Sequence, residues 1–142
     1  MRRVLLDTDT LSEILKGRNA IIVRRAAAYA EEYGRFTYTA VSVLEILYGL
    51  HHKDAARQLL NAEISFLENE LVVPVLEDFK TAGLIRGVAR RQGRQLTSDD
   101  CLIGAIALRL GLPIATGNTE HFEAMKNAGL GIEMEDWRRP PS

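Results

Sequence analysis

The chain has 142 residues, 46% hydrophobic and 26% charged, which fits one globular domain over residues 1–137 with a flexible tail at 138–142 and excludes a mainly disordered chain. A single cysteine, Cys101, excludes an intramolecular disulfide, a four-cysteine zinc site and a paired-cysteine redox motif, and suits a reducing, cytoplasmic setting. Lys and Arg number 18 against 19 Asp and Glu, a net charge of −1 with neutral histidines, so no bulk positive field draws the protein to nucleic acid or anionic lipid and any such contact is local.

The first apolar run is cut by Asp7, far short of a signal-peptide core or a membrane span. It reads as a strand over 3–7. Helices are predicted at 11–16 and 19–33, a strand at 36–40, helices at 42–50 and 55–67, and a strand at 71–76. Helices at 77–92 and 99–110 follow, then a strand at 113–116, a helix at 120–126 and a last strand at 131–135. Gly17, Gly34 and Gly111 stand where helices should stop. Strands separated by crossover helices predict an α/β layer fold with a mostly parallel sheet. In such sheets ligands gather outside the carboxyl ends of the strands.

Four oxygen-bearing positions fall at those ends or at helix starts. Asp7 closes Val4-Leu5-Leu6, and because Thr10 and Glu13 form a capping box for the next helix, Asp7 is free for another role. Glu45 lies in Val41-Ser42-Val43-Leu44-Glu45-Ile46-Leu47-Tyr48, which reads as a helix buried on most sides. An ionised carboxylate there needs a cation or donors, and a Ser42–Glu45 capping box would be one such source. Asp99 and Asp100 open the apolar run from Cys101 to Leu108, where one acid satisfies the helix dipole. Gly104, one turn on, leaves room beside Asp100 for an ion or a phosphate. Pro113-Ile114-Ala115-Thr116 ends in Gly117-Asn118, which brings a hydroxyl and a carbonyl oxygen. Carboxylates gathered on one rim require a hard cation, and oxygen-only ligation suits magnesium or manganese rather than zinc. The chemistry expected of such a cluster is phosphodiester hydrolysis.

Val4-Leu5-Leu6-Asp7-Thr8-Asp9-Thr10, Ser42-Val43-Leu44-Glu45-Ile46-Leu47-Tyr48-Gly49, Asp100-Cys101-Leu102-Ile103-Gly104-Ala105 and Leu112-Pro113-Ile114-Ala115-Thr116-Gly117-Asn118 resemble, in this order, the motifs of PIN-domain ribonucleases. The resemblance is closest to the VapC-type toxins of type II toxin–antitoxin systems. It implies a three-layer α/β/α fold and metal-dependent endoribonuclease activity. Asp7, Glu45 and Asp100 would hold Mg²⁺ or Mn²⁺, with Thr116 and Asn118 in support. It also implies an RNA substrate, a small cognate antitoxin and a homodimer. Two departures stand out: Asp9 where the family commonly has asparagine, and Asn118 where it often has aspartate. The second leaves one or two ions open, with Asp99 or Glu120 as candidates to compensate.

Arg86, Arg90 and Arg94 recur every four residues and make a basic stripe, a candidate RNA track beside the simpler reading of a solvated helix face. His51, His52 and His121 are assigned no catalysis. Ala56, Leu59, Leu60, Ile64 and Leu67 form an apolar stripe that reads as core, with a partner helix as the alternative. Two rival functions remain. Asp7-Thr8-Asp9-Thr10 also resembles the nucleophile motif of haloacid-dehalogenase-like phosphohydrolases, with Thr39 and Lys80 as later motif residues. A non-catalytic protein- or RNA-binding module on the same fold is the other.

Overall fold

A computed structural model describes residues 1–140; Pro141 and Ser142, the end of the expected tail, lie outside the described residues. In chain order the elements are β1 (Leu5–Leu6), α1 (Thr8–Lys16), α2 (Ala20–Tyr33), β2 (Thr37–Thr39), α3 (Ala40–His52), α4 (Ala56–Glu68), β3 (Glu70–Val72), α5 (Leu76–Arg91), α6 (Ser98–Leu110), β4 (Ile114–Ala115), α7 (Thr119–Asn127) and β5 (Met134–Glu135). All strand pairs are parallel. One ladder runs β1-β4-β5, with Leu5 opposite Ile114 and Ile114 opposite Met134, and the other pairs β2 with β3. β1 packs beside β2, so the ladders lie side by side.

Alternation along the strands sorts side chains onto two faces. Leu5 and Ile114 pack with Ile85, Ile103, Ile106, Phe122 and Met125 of α5, α6 and α7. Val4, Leu6 and Ala115 face the other way, into Leu11, Ile22, Tyr29, Tyr38 and Trp137. Two apolar cores on opposite faces of the parallel strands make the three-layer α/β/α arrangement. Fully burying a single Leu or Ile here contributes roughly 1.5–3 kcal/mol. Among the described residues, no helix is long and apolar enough to cross a membrane.

Several local expectations are corrected. Asp7 is itself the N-cap of α1, accepting from Thr8 N at 2.9 Å, so α1 starts three residues earlier than the Thr10–Glu13 pattern suggested. Likewise Thr39 caps α3, accepting from Ser42 N at 3.2 Å, and no Ser42–Glu45 capping box forms. α3 is not buried on most sides, since Leu44 and Tyr48 are 64% and 69% exposed. The third strand ends at Val72 rather than Leu76 because Pro74 offers no N–H to a ladder, and Asp78 turns back to cap Val75 N at 2.9 Å. The apolar stripe of α4 turns Leu60, Ile64 and Leu67 to solvent, while Ala62 faces the core. Gly104 opens no space beside Asp100: a Cβ there would lie 2.8 Å from Met125 Sδ and 3.1 Å from Leu130 Cδ2, so the glycine permits close packing of α6 on α7.

Candidate active site

Because β1 and β2 pass directly into helices, the residues at their carboxyl ends are fixed by both a ladder and a cap. Asp7 is 4% exposed. Its Oδ1 accepts from Thr8 N and its Oδ2 from Thr116 Oγ1 at 2.8 Å, at the end of β4. Thr116 Oγ1 in turn accepts from Asn118 N at 2.9 Å. From the first turn of α1, Thr8 Oγ1 donates to Glu45 Oε1 at 2.6 Å and lies 2.9 Å from Ser42 Oγ. The donor that Glu45 required is therefore a hydroxyl.

Asp100 sits in the first turn of α6, where Thr97 Oγ1 accepts its N–H at 3.1 Å. Its Oδ2 is 3.0 Å from His121 Nδ1, and that nitrogen is also 2.8 Å from Asn118 Nδ2. One ring nitrogen can donate to Asp100 or accept from Asn118 but cannot do both, so the tautomer decides which partner it serves. Asp9 completes the rim. Its Oδ2 accepts from Gly117 N at 3.0 Å and from Arg138 Nη2 at 2.9 Å.

Asp7, Thr8, Asp9, Glu45, Asp100 and Asn118 line a single cavity of about 400 Å³, whose outer walls include Lys16, Lys53, Gln58 and Asn61. Thr116 stands behind it, fully buried. Of the predicted site residues, then, Asp7, Glu45, Asp100 and Asn118 meet in one place and Thr116 supports them. Asp99 and Glu120 are not among the lining residues. Arg86, Arg90 and Arg94 line a separate groove of about 740 Å³ with Phe79 and Leu102. Arg86 is committed to the α5–α6 connection, donating to Leu96 O at 3.0 Å and Ser98 Oγ at 2.9 Å. Arg94 also borders a small cleft shared with Glu120 and His121. Thr39 spends its hydroxyl on Ser42, and Lys80 pairs with Glu77 at 3.7 Å, so neither supplies the cavity as a phosphohydrolase would need.

Sequence reasoning missed Thr8, Asp9, His121 and Arg138. His121 had a legible signal, since it falls one helical turn after Asn118. Arg138 had none, because only β5 lying beside β4 brings it near Asp9.

The electrostatics are those of an acid cluster short of cations. Burial, with the neighbouring Asp9 second, pushes the Asp7 carboxyl up to about 7, against the opposing bonds from Thr116 and Thr8. Burial raises Glu45 as well, Thr8 opposing it and Asp99 and Asp100 adding to it. A divalent ion relieves both penalties, and the donor set of carboxylate, amide and hydroxyl oxygens matches a hard one. Among the described residues no three His, Cys, Asp or Glu side chains converge as a finished cage. An open, acid-lined pocket of this kind suits an ion that keeps much of its water.

A family model described as PIN domain matches residues 4–127. The chain belongs to the PIN-domain family. It is 25% identical over 136 residues to Ribonuclease VapC1 of Methanocaldococcus jannaschii, an alignment spanning 92% of this chain and 86% of that protein. Among solved structures, this PIN domain is similar to a chain of the DNA-bound VapBC of Salmonella typhimurium, with 26% identity, a TM-score of 0.80 and coverage of 96% and 99% of the two chains. It also shares its fold with a chain of FitAcB from Neisseria gonorrhoeae, at 20% identity and a TM-score of 0.79, over 96% of this chain and 99% of that one.

Proposed function

We propose that this PIN domain is a metal-dependent endoribonuclease and the toxin of a toxin–antitoxin pair, with Asp7, Glu45 and Asp100 holding Mg²⁺ or Mn²⁺. The observation that carries this reading is the gathering of these three carboxylates, from the end of β1, the second turn of α3 and the first turn of α6, on one cavity. The likeness to Ribonuclease VapC1 and to VapBC supports the substrate class and a small antitoxin partner. The exposed apolar side chains Leu44 and Tyr48 on α3, and Val73, Leu76 and Phe79 around the start of α5, give protein partners surface to cover, including a second copy of the chain.

Each residue has a task. Asp7, held by Thr8 N and Thr116, presents a fixed carboxylate at the pocket floor. Thr8 aims Glu45 from the opposite wall, and His121 steadies Asp100. Asn118 adds a neutral polar group beside them without further charge. The chemistry supplied by a bound divalent ion is Lewis acidity at a phosphate and a lowered water pKa. Because Asp7 is itself buried, charge interactions at its carboxylate are stronger than they would be in water.

The test is incubation of the purified protein with a defined mixture of cellular RNAs, with and without chelator, beside Asp100→Asn. Internal cleavage by the wild type that disappears with chelator and in the variant is the expected outcome. Cleavage surviving both changes overturns the reading.

A further inference from the structure

The acid rim contains one fixed positive charge whose position is set by the fold. Asp9 is the fourth carboxylate lining the cavity. Its Oδ1 accepts from Thr10 N at 2.7 Å and lies 3.4 Å from Thr116 Oγ1, the hydroxyl that bonds Asp7, but it alone of the four is held by an arginine: its Oδ2 accepts from Gly117 N at 3.0 Å and from Arg138 Nη2 at 2.9 Å. The sheet order explains how an arginine from so late in the chain arrives there. β5 pairs with β4 in parallel, so both strands end at the same edge. The chain leaving β5 is pinned by buried Trp137 and by Arg138 N donating to Asp136 Oδ1 at 3.0 Å.

From that anchor the Arg138 side chain must cross the end of β4 to reach β1. It does so over Gly117, where a Cβ would lie 2.2 Å from the guanidinium carbon. Only glycine leaves that path open. The same glycine offers its N–H to the same carboxylate oxygen, so Gly117 and Arg138 together hold one face of Asp9.

We propose that Arg138 is a positioning residue that occupies Asp9 and keeps it out of the metal-binding set, leaving that set to Asp7, Glu45 and Asp100. The proposal rests on the reading of those three residues as the metal site. Arg138 touches neither the ion nor the RNA; it fixes how many carboxylates are available to a cation, and so how many ions the pocket takes and how tightly.

Chelator-stripped protein is titrated with Mn²⁺ and free ion is followed by electron paramagnetic resonance, for the wild type, Arg138→Gln, Arg138→Lys, Gly117→Ala and the double variant Asp9→Asn with Arg138→Gln. Arg139→Gln serves as control, since its exposed side chain pairs with Asp136 at 3.5 Å and not with Asp9. Releasing Asp9 gives Arg138→Gln either one additional bound ion or about tenfold tighter binding, the size expected when a unit positive charge beside the pocket is removed. Gly117→Ala, which evicts the guanidinium without removing it, follows Arg138→Gln. Arg138→Lys, the double variant and Arg139→Gln stay within about twofold of the wild type.

Arg138→Gln that melts at a lower temperature yet binds Mn²⁺ as the wild type does shows a merely structural contact and overturns the proposal. So does a gain in binding that persists in the double variant. If the wild type and Arg138→Gln both fail to bind Mn²⁺, the metal site itself is refuted and the proposal falls with it. Wild-type binding with no difference in Arg138→Gln refutes the proposal alone.

Discussion

Thr116 Oγ1 donates to Asp7 Oδ2 at 2.8 Å, joining the ends of β4 and β1 across 109 residues of sequence. This bond opposes the burial that pushes Asp7 up to about 7. Replacing Thr116 by valine keeps the shape and removes the donor, so Asp7 should ionise at still higher pH. Mn²⁺ binding and RNA cleavage by Thr116→Val are expected to fall about tenfold near pH 7, equivalent to a shift of about one pH unit. Both should recover toward pH 9. Thr116→Ser, which restores the donor, should return the profile to that of the wild type; a pH-independent loss would count against this account.

Asp7 also makes stability depend on pH and on metal. Its folded-state value, about 7, lies above the ordinary 3.8, so the folded chain holds this proton more tightly than the unfolded chain. That contribution is fully present below about pH 4 and is lost as pH rises through about 7. Glu45, raised mainly by its burial, acts in the same direction. In chelator, therefore, the melting temperature should decline from pH 5 to pH 8. Mn²⁺, which binds the ionised form, should oppose the decline. Asp7→Asn should flatten the curve and abolish the metal response. Thermal melts across that range check it, and a rise in chelator would contradict it.

His121 Nδ1 lies 3.0 Å from Asp100 Oδ2, and in the tautomer that carries its proton there it donates to that carboxylate. Outer partners of metal-binding side chains typically matter by 10–100-fold in affinity. His121→Ala should accordingly weaken Mn²⁺ binding at least about tenfold. The His121 side chain is 41% exposed, so its loss should leave the melting temperature of the metal-free protein nearly unchanged. Equal Mn²⁺ affinity in the two proteins would mean that Thr97 alone orients Asp100.

Most of the layer fold was legible because most strands, though only two or three residues long, sit in apolar or β-branched runs between helical patterns, and α1, α2 and α6 stop at Gly17, Gly34 and Gly111. The residues of the site were legible for a related reason: parallel strands leave their polar ends on one edge, so Asp7 and Thr116 had to lie close together. Local capping was misread. Thr10–Glu13 and Ser42–Glu45 both have the spacing of a capping box, yet the preceding Asp7 and Thr39 take the caps because the strands run into their helices without a loop. Gly104 looked like a ligand space and is a packing contact, since sequence shows a missing side chain but not what fills its place. Arg138 was invisible because its partner is set by strand order, not by periodicity.

Arg86, Arg90 and Arg94 divide by their hydrogen bonds rather than by their spacing. Arg86 spends Nε on Leu96 O and Nη1 on Ser98 Oγ, closing the turn that delivers Asp100. Arg86→Ala should therefore destabilise the fold by about 1 kcal/mol, the usual net worth of a hydrogen bond, since water can take over the exposed Ser98 hydroxyl. Arg90, on α5, and Arg94, three residues past its end, line the same groove and are exposed to solvent. Their replacement by alanine should leave melting temperatures unchanged. If RNA tracks this groove, each of these two substitutions lowers the slope of log binding constant against log salt by about 0.7, the value for one phosphate contact on a single strand. Binding to a catalytically silent Asp100→Asn protein, measured across 50–300 mM salt, reads this directly. An unchanged slope in Arg90→Ala and Arg94→Ala removes the groove from the RNA path and leaves the stripe as a solvated helix face.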